Sequence, residues 1–188
     1  MKLVLASGSP RRRELLAAGG ILFEVRLAPV AELRRAAEAP ADYVQRLARD
    51  KAFAVEANDH EIVLGADTTV VADDLVLEKP ADARDAERML ALLSGRKHQV
   101  LTGICLRQGG RAVVGVETTL VEFSVLSKAD IAAYVATGEP MDKAGAYAIQ
   151  GIASRWIHRI EGCYFNVVGL PVARVWQELQ KFAHNGAK

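Results

Sequence analysis

The residues that first suggest chemistry are Ser7-Gly8-Ser9-Pro10-Arg11-Arg12-Arg13, set between an apolar run and a helix-like segment. Arginines in a first helical turn face the positive end of the helix dipole. That costs each about 0.3–1 kcal/mol when exposed, so an anion is expected beside them. Free backbone N–H groups, the hydroxyls of Ser7 and Ser9, a glycine that admits close approach and the guanidinium forks of Arg11 and Arg12 together suit a phosphate. The spacing is not that of a Walker A loop, because no Gly-Lys-Ser/Thr follows. An ordinary Ser-Pro helix start with solvated arginines is the plain alternative.

Lys51 and Asp67 are the next residues out of place. Between Pro40 and Asn58 the apolar stripe runs Val44, Leu47, Ala48, Val55, and Lys51 lies on that stripe. Such a lysine either snorkels to water or meets an anion. Asp67, in Gly65-Ala66-Asp67-Thr68-Thr69, stands in an apolar strand, where a carboxylate needs a cation, a metal or hydrogen bonds to offset desolvation. Because Thr68-Thr69-Val70-Val71 continues the strand, no turn is left for Asp67 to cap, which favours a functional role.

Two further segments could carry chemistry on loops. Glu78-Lys79-Pro80 ends a strand with a charge pair and offers a second phosphate lysine, or mere surface polarity. The stretch from Glu139 to Gly151 is a long, charged, glycine-punctuated connection, the kind that is functional or mobile in a compact domain. Within it Gln150 offers a donor and an acceptor, the pair a pyrimidine edge requires. A solvated loop amide is the alternative.

The elements that must position these residues alternate. Leu3 to Ala6 reads as a buried strand, Pro10 to Ala18 as a helix with Ser9 at its N-cap and Gly19 beyond its end, and Phe23 to Leu27 as a second strand. Ala28 to Ala39 gives no clear signal. Pro40 opens a helix to about Asn58, and Ile62 to Val71 is a strand joined through Asp73-Asp74 to Leu75-Val76-Leu77 as a hairpin. Asp82 caps a helix with Ala83, Ala86, Met89, Leu90 and Leu93 on one face, ended by Ser94-Gly95. Gln99 to Arg107 and Ala112 to Val125 read as strands, and Ser127 with Asp130 opens a helix ending at Gly138. Ser154 to Ile160 and Cys163 to Val168 read as a hairpin about Glu161-Gly162. Pro171 opens a last helix with Val172, Val175, Trp176, Leu179 and Phe182 on one face. The fold class is α/β with a mixed, partly antiparallel sheet.

Composition narrows the classes. The chain has 188 residues, 51% of them hydrophobic, with 24 basic and 23 acidic side chains, which excludes intrinsic disorder. The near balance of charge argues against bulk electrostatic binding to nucleic acid or anionic membrane. The apolar N-terminal run is broken at once by Ser7-Gly8-Ser9-Pro10, the wrong order for a signal peptide, and no segment reaches membrane-spanning length without charge. A soluble, cytoplasmic protein is expected. Cys105 and Cys163 are isolated, without metal-ligand spacing, and read as buried spectator thiols.

Taken together, Ser7-Gly8-Ser9-Pro10-Arg11-Arg12, Gly65-Ala66-Asp67-Thr68, Glu78-Lys79-Pro80, Leu93-Ser94-Gly95-Arg96-Lys97-His98-Gln99-Val100-Leu101-Thr102-Gly103, Gly138-Glu139-Pro140-Met141-Asp142-Lys143-Ala144-Gly145-Ala146-Tyr147 and Asn166-Val167-Val168-Gly169-Leu170-Pro171 resemble the Maf family of nucleoside triphosphate pyrophosphatases. The resemblance covers nearly the whole chain, and Ala148-Ile149-Gln150-Gly151 is similar to the branch acting on dTTP and UTP. It implies one elongated α/β domain over residues 1–188, similar to inosine triphosphatases, with helices flanking the mixed sheet and a central substrate cleft. It also implies hydrolysis between the α and β phosphates with a divalent cation, Mg2+ or Mn2+. Asp67 matches the proton acceptor. Ser7, Arg11, Arg12, Lys51 and Lys79 match the lining of the phosphate site, which Ser9 joins on the reading above. Arg11, Thr68 and Gln150 fall at the base-choice positions. Glu32, with Asp67, matches the metal's carboxylates, and Ala31 stands where relatives often carry a second acidic residue. The implied partner is the nucleoside triphosphate, with no nucleic-acid polymer and no membrane, and a homodimer is left open. The resemblance also implies cleaning of modified nucleotides from the pool and a link to septum arrest, and two other readings stay open: a pyrophosphatase for purine analogues, and a nucleotide-binding regulator of septum formation with little turnover.

Overall fold

The strand Lys2–Leu5 (β1) lies between Phe23–Val25 (β2) and Glu61–Ala72 (β3), parallel to both, which explains its unbroken apolar run. In this computed structural model, which describes residues 2–185, the remaining strands are Leu75–Leu77 (β4), Lys97–Gln108 (β5), Arg111–Phe123 (β6) and Ile157–Glu161 (β7). They form one seven-stranded sheet in the order β2-β1-β3-β5-β6-β7, with β4 paired antiparallel to β3 and β7 antiparallel to β6. The expected mixed sheet is present. The helices are Pro10–Ala18 (α1), Pro40–Ala54 (α2), Ala83–Leu93 (α3), Lys128–Val135 (α4), Tyr164–Val168 (α5) and Val172–Asn185 (α6).

By its contacts the chain divides into two compact units. The first comprises residues 1–67, 102–117 and 169–188. Its core brings Val4 and Val63 of the parallel strands, with Ala6 just beyond β1, against Ala48 and Ala52 of α2 and Cys105 of β5. Pro40 starts α2 at a position where no N–H is missed. The helix stops at Ala54, short of the expected Asn58, because Arg107 donates to the carbonyls of Ala52 (3.1 Å) and Val55 (2.9 Å) while Val55 turns extended into the core. Strand β2 likewise ends early, at Val25 rather than Leu27.

The second unit comprises residues 68–101 and 118–168. Asp73 and Asp74 both have positive φ, 46° and 66°, which makes the β3–β4 connection a tight hairpin turn. The Asp82 carboxylate accepts from the N–H of Asp85 at 2.8 Å to start α3, and Ser127 with Asp130 forms a complete capping box at α4. Around these helices the core gathers Met89, Leu90, Leu93, Phe123, Tyr134 and Trp156.

Three further sequence expectations are corrected. Residues 163–168 are not the second strand of a hairpin: β7 pairs with β6, and the chain then turns into α5. The Thr119 hydroxyl accepts from the N–H of Cys163 and from Nδ2 of Asn166, each at 3.0 Å, so side-chain bonds hold this segment in place of a ladder. On α6, Val175, Leu179 and Phe182 are buried as expected, but Trp176 is 51% exposed, one step off the buried stripe. Cys105 is buried, and burial pushes its thiol pKa up to about 11; Cys163 is only half-buried.

Candidate active site

The paired segments of β1 and β3 end together, with Leu5 opposite Leu64. Just beyond that paired segment, Ser7 follows the carboxyl end of β1, the kind of edge at which α/β sheets bind ligands, while Asp67 stands within β3, which runs on to Ala72. Both are buried, Ser7 at 7% and Asp67 at 8% exposure.

Arg12, on the first turn of α1, turns inward. Its Nε donates to the carbonyl of Gly169 (2.9 Å), and its Nη1 donates to Ser7 Oγ (3.0 Å) and to the carbonyl of Ala66 (2.9 Å). The same Ser7 oxygen accepts from the N–H of Ser9 at 3.3 Å. The expected anion for this arginine is therefore met in part by carbonyl dipoles. Burial lowers the Arg12 pKa, and the charges of Asp67 and Glu32 work against that shift. Ser9 occupies the N-cap position without a side-chain cap bond, Arg11 is half-buried and Arg13 is exposed.

Lys51 finds its anion. Its Nζ lies 2.6 Å from Asp67 Oδ1 and 2.5 Å from Glu32 Oε1. The approach depends on Gly65: a Cβ there would run into the carbonyl oxygen of Ala48 and the nitrogen of Ala52, so α2 lies directly on β3. With the two backbones that close, Lys51 sits one helical turn from Ala48 and reaches Asp67. Glu32 belongs to residues 28–39, which hold no helix or strand. Tyr43 of α2 donates its hydroxyl to the Glu32 carbonyl at 3.2 Å, and Arg46 donates to Leu33 O and the Glu38 carboxylate. Arg46 holds the Glu38 pKa down at about 2.

Asp67 has a raised pKa. Burial is the main cause, and the neighbouring charges of Lys51 and Arg12 oppose it. A buried carboxylate that is still hydrogen-bonded to a lysine can exchange a proton and stay fixed in direction, as a general base must. Among the described residues no group of three or more His, Cys, Asp or Glu is placed to hold a metal ion. The carboxylates of Glu32 and Asp67 are the pair this cluster offers a divalent cation.

The folded chain thus joins Ser7, Ser9 and Arg12 in one hydrogen-bonded set and Glu32, Lys51 and Asp67 in another, with Arg12 bonded to the carbonyl of Ala66, the residue before Asp67. Thr68, half-buried, and Lys79 and Gln150, both exposed, belong to the second unit. Sequence reasoning assigned no role to His98, which is 2% exposed, with Nε2 2.8 Å from the Tyr147 hydroxyl and its ring edge-on to Phe123. The signal was present, since His98 shares the buried register of β5 with Val100 while Lys97 and Gln99 face out.

The model of the family described as Maf-like protein matches residues 2–182. The chain belongs to the Maf family. Among its Maf relatives, a protein of Koribacter versatilis named dTTP/UTP pyrophosphatase is 56% identical over 182 residues, 96% of this chain and 94% of the relative. Another of the same name from Vibrio cholerae is 55% identical over 183 residues, 96% of this chain and 98% of the relative. A solved structure of a nucleoside-triphosphatase / dITP/XTP pyrophosphatase from Mycobacterium abscessus has 19% identity and a TM-score of 0.43, covering 65% of this chain and 74% of its own.

Proposed function

We propose that this chain hydrolyses dTTP and UTP between the α and β phosphates, releasing the nucleoside monophosphate and pyrophosphate. The observation that carries the reading is the buried Asp67 carboxylate, directed by Lys51 just past the point where β3 ceases to pair with β1. The near-full-length identity to relatives named dTTP/UTP pyrophosphatase supports the choice of substrate.

In this reading Asp67 takes the proton of the attacking water, and its burial moves its pKa toward the range in which a base works. Lys51 keeps the carboxylate oriented. Arg12 ties the Ser7 loop to β3 and to Gly169, and presents its positive charge to the phosphates from a fixed place. Ser7, Ser9, Arg11 and Lys79 are assigned to phosphate contacts, and Arg11, Thr68 and Gln150 to base choice, on their match to the family's motifs. We assign residues 1–188 to one catalytic domain acting in the cytoplasm, in keeping with the unpaired Cys105 and Cys163.

A divalent cation fits this chemistry. Two carboxylate oxygens, from Glu32 and Asp67, already converge on one positive centre, and magnesium-type sites commonly use one or two carboxylates with substrate phosphate oxygens. Glu32 and Asp67 would hold the ion. When bound, it would supply charge neutralisation at the phosphates and a lowered pKa for bound water.

The test is pyrophosphate release from a panel of common and modified triphosphates with Mg2+ or Mn2+. Preference for dTTP and UTP is expected. Preference for inosine triphosphate would replace this reading, and tight binding without turnover would make the chain a sensor.

A further inference from the structure

The segment carrying Gln150 is held by a closed set of hydrogen bonds. The N–H of Gly151 donates to the carbonyl of Ala148 at 3.1 Å, so residues 148–151 form a turn with Gln150 exposed near its tip. Both flanks of the turn are fastened to one pair of side chains. On the near side, the N–H of Ala148 donates to the Tyr134 hydroxyl at 3.3 Å. On the far side, the N–H of Ile152 donates to Glu139 Oε1 at 3.1 Å. The pair is itself joined, Tyr134 donating to Glu139 Oε1 at 2.8 Å. Between the flanks, Ile149 is 8% exposed and anchors the turn from below.

Glu139 is immobilised in turn. Its N–H donates to Thr137 Oγ1 (3.2 Å), and its carbonyl accepts from Lys143 Nζ (2.7 Å). Its carboxylate fills the space that a Cβ at Gly151 would occupy, so the turn sits flush on the acid. Tyr134 is fully buried, and its ring packs edge-on against Trp156 at 5.3 Å. A side chain on an untethered turn would start from many backbone positions, and fixing the backbone in advance removes that part of its freedom before a ligand arrives.

We infer that Tyr134 and Glu139 are positioning residues for base choice: their shared hydrogen bond clamps both ends of the 148–151 turn and so fixes the backbone from which the Gln150 side chain extends. The clamp rests on the reading of Gln150 as a contact to the base. It acts through Gln150, and therefore alters discrimination among bases more than turnover.

The experiment compares kcat and KM for UTP and CTP in the whole enzyme and in Tyr134→Phe, Glu139→Gln, Gln150→Ala and the double variant Tyr134→Phe/Gln150→Ala. Phenylalanine keeps the packing on Trp156, and glutamine keeps one acceptor oxygen, so both variants retain the core. Gln150→Ala is expected to cut the UTP-over-CTP ratio of kcat/KM by about tenfold or more, Tyr134→Phe and Glu139→Gln by severalfold, and the loss to lie in KM for UTP. The double variant should match Gln150→Ala alone, because the clamp has nothing left to position. A common loss on both substrates from Tyr134→Phe and Glu139→Gln, or multiplied losses in the double variant, overturns the clamp while leaving Gln150 as a base contact. An unchanged ratio in Gln150→Ala overturns both.

Discussion

The ammonium of Lys51 bridges two carboxylates from different segments, 2.6 Å from Asp67 Oδ1 and 2.5 Å from Glu32 Oε1. Asp67 is buried and Glu32 has a half-exposed side chain, so a single cation links a fixed carboxylate in the interior to one that water and ligands can reach. In the proposed reaction, proton transfer and metal binding would both use that link.

Asp67→Asn keeps the shape of the side chain and a hydrogen-bonding oxygen but removes the proton acceptor. Pyrophosphate release from dTTP and UTP should fall below detection while the thermal midpoint stays within about 3 °C of the parent. Near-normal turnover would remove Asp67 from the reaction. The sign of the pH effect follows from burial: a carboxyl whose folded pKa is raised adds stability below its unfolded value of 3.8, and that stability is lost as pH rises through the folded pKa. The same raised pKa places the acid limb of kcat/KM above 3.8, and a limb at or below 3.8 would take the base's role from Asp67.

Gly65→Ala tests the approach of α2 to β3. The added methyl meets backbone atoms of Ala48 and Ala52, so the helix must shift, at a cost of about 1–3 kcal/mol. Denaturant unfolding should report that loss, and turnover should fall with it as Lys51 is drawn from Asp67. Parental values for both would show that the contact can relax.

Glu32→Gln removes the exposed carboxylate of the pair. The Mg2+ or Mn2+ concentration giving half-maximal pyrophosphate release should rise about tenfold, with little change in thermal midpoint. An unchanged metal titration would exclude Glu32 as a ligand.

His98 is held neutral, its pKa pushed down to about 4 by burial. The unfolded chain takes up a proton near pH 6.5 and the folded one does not, so stability should decline as pH falls from about 6.5 to 4. The contribution is on the order of 3 kcal/mol. His98→Gln can still bond the Tyr147 hydroxyl, and its unfolding free energy should be flatter across that window. An identical pH slope would place the titration elsewhere.

Arg12→Lys leaves one ammonium where a guanidinium serves three acceptors. The buried carbonyls of Gly169 and Ala66 cannot both be satisfied, so a loss of about 1–3 kcal/mol is expected in denaturant unfolding, together with reduced activity. Activity lost at full stability would confine Arg12 to phosphate binding.

Much of this protein is legible along the chain because the signals act within a few residues. Ser127 and Asp130 cap each other, Asp82 caps the N–H of Asp85, and Asp73-Asp74 turns β3 into β4. The misplaced polarity of Lys51 and Asp67 also shows in sequence, since periodicity alone puts a charge on a buried stripe. Their partners do not show. Arg12 reaches Gly169 across 157 positions, and no local pattern distinguishes that carbonyl from any other. The hairpin expected at residues 154–168 failed for the same reason: β6 takes β7 as its partner, and Thr119 and Asn166 hold the chain beyond it by side-chain bonds. Local hydrogen bonds and hydrophobic period are properties of the sequence itself. Which buried polar groups meet is decided only when distant segments pack and each must find a partner away from water.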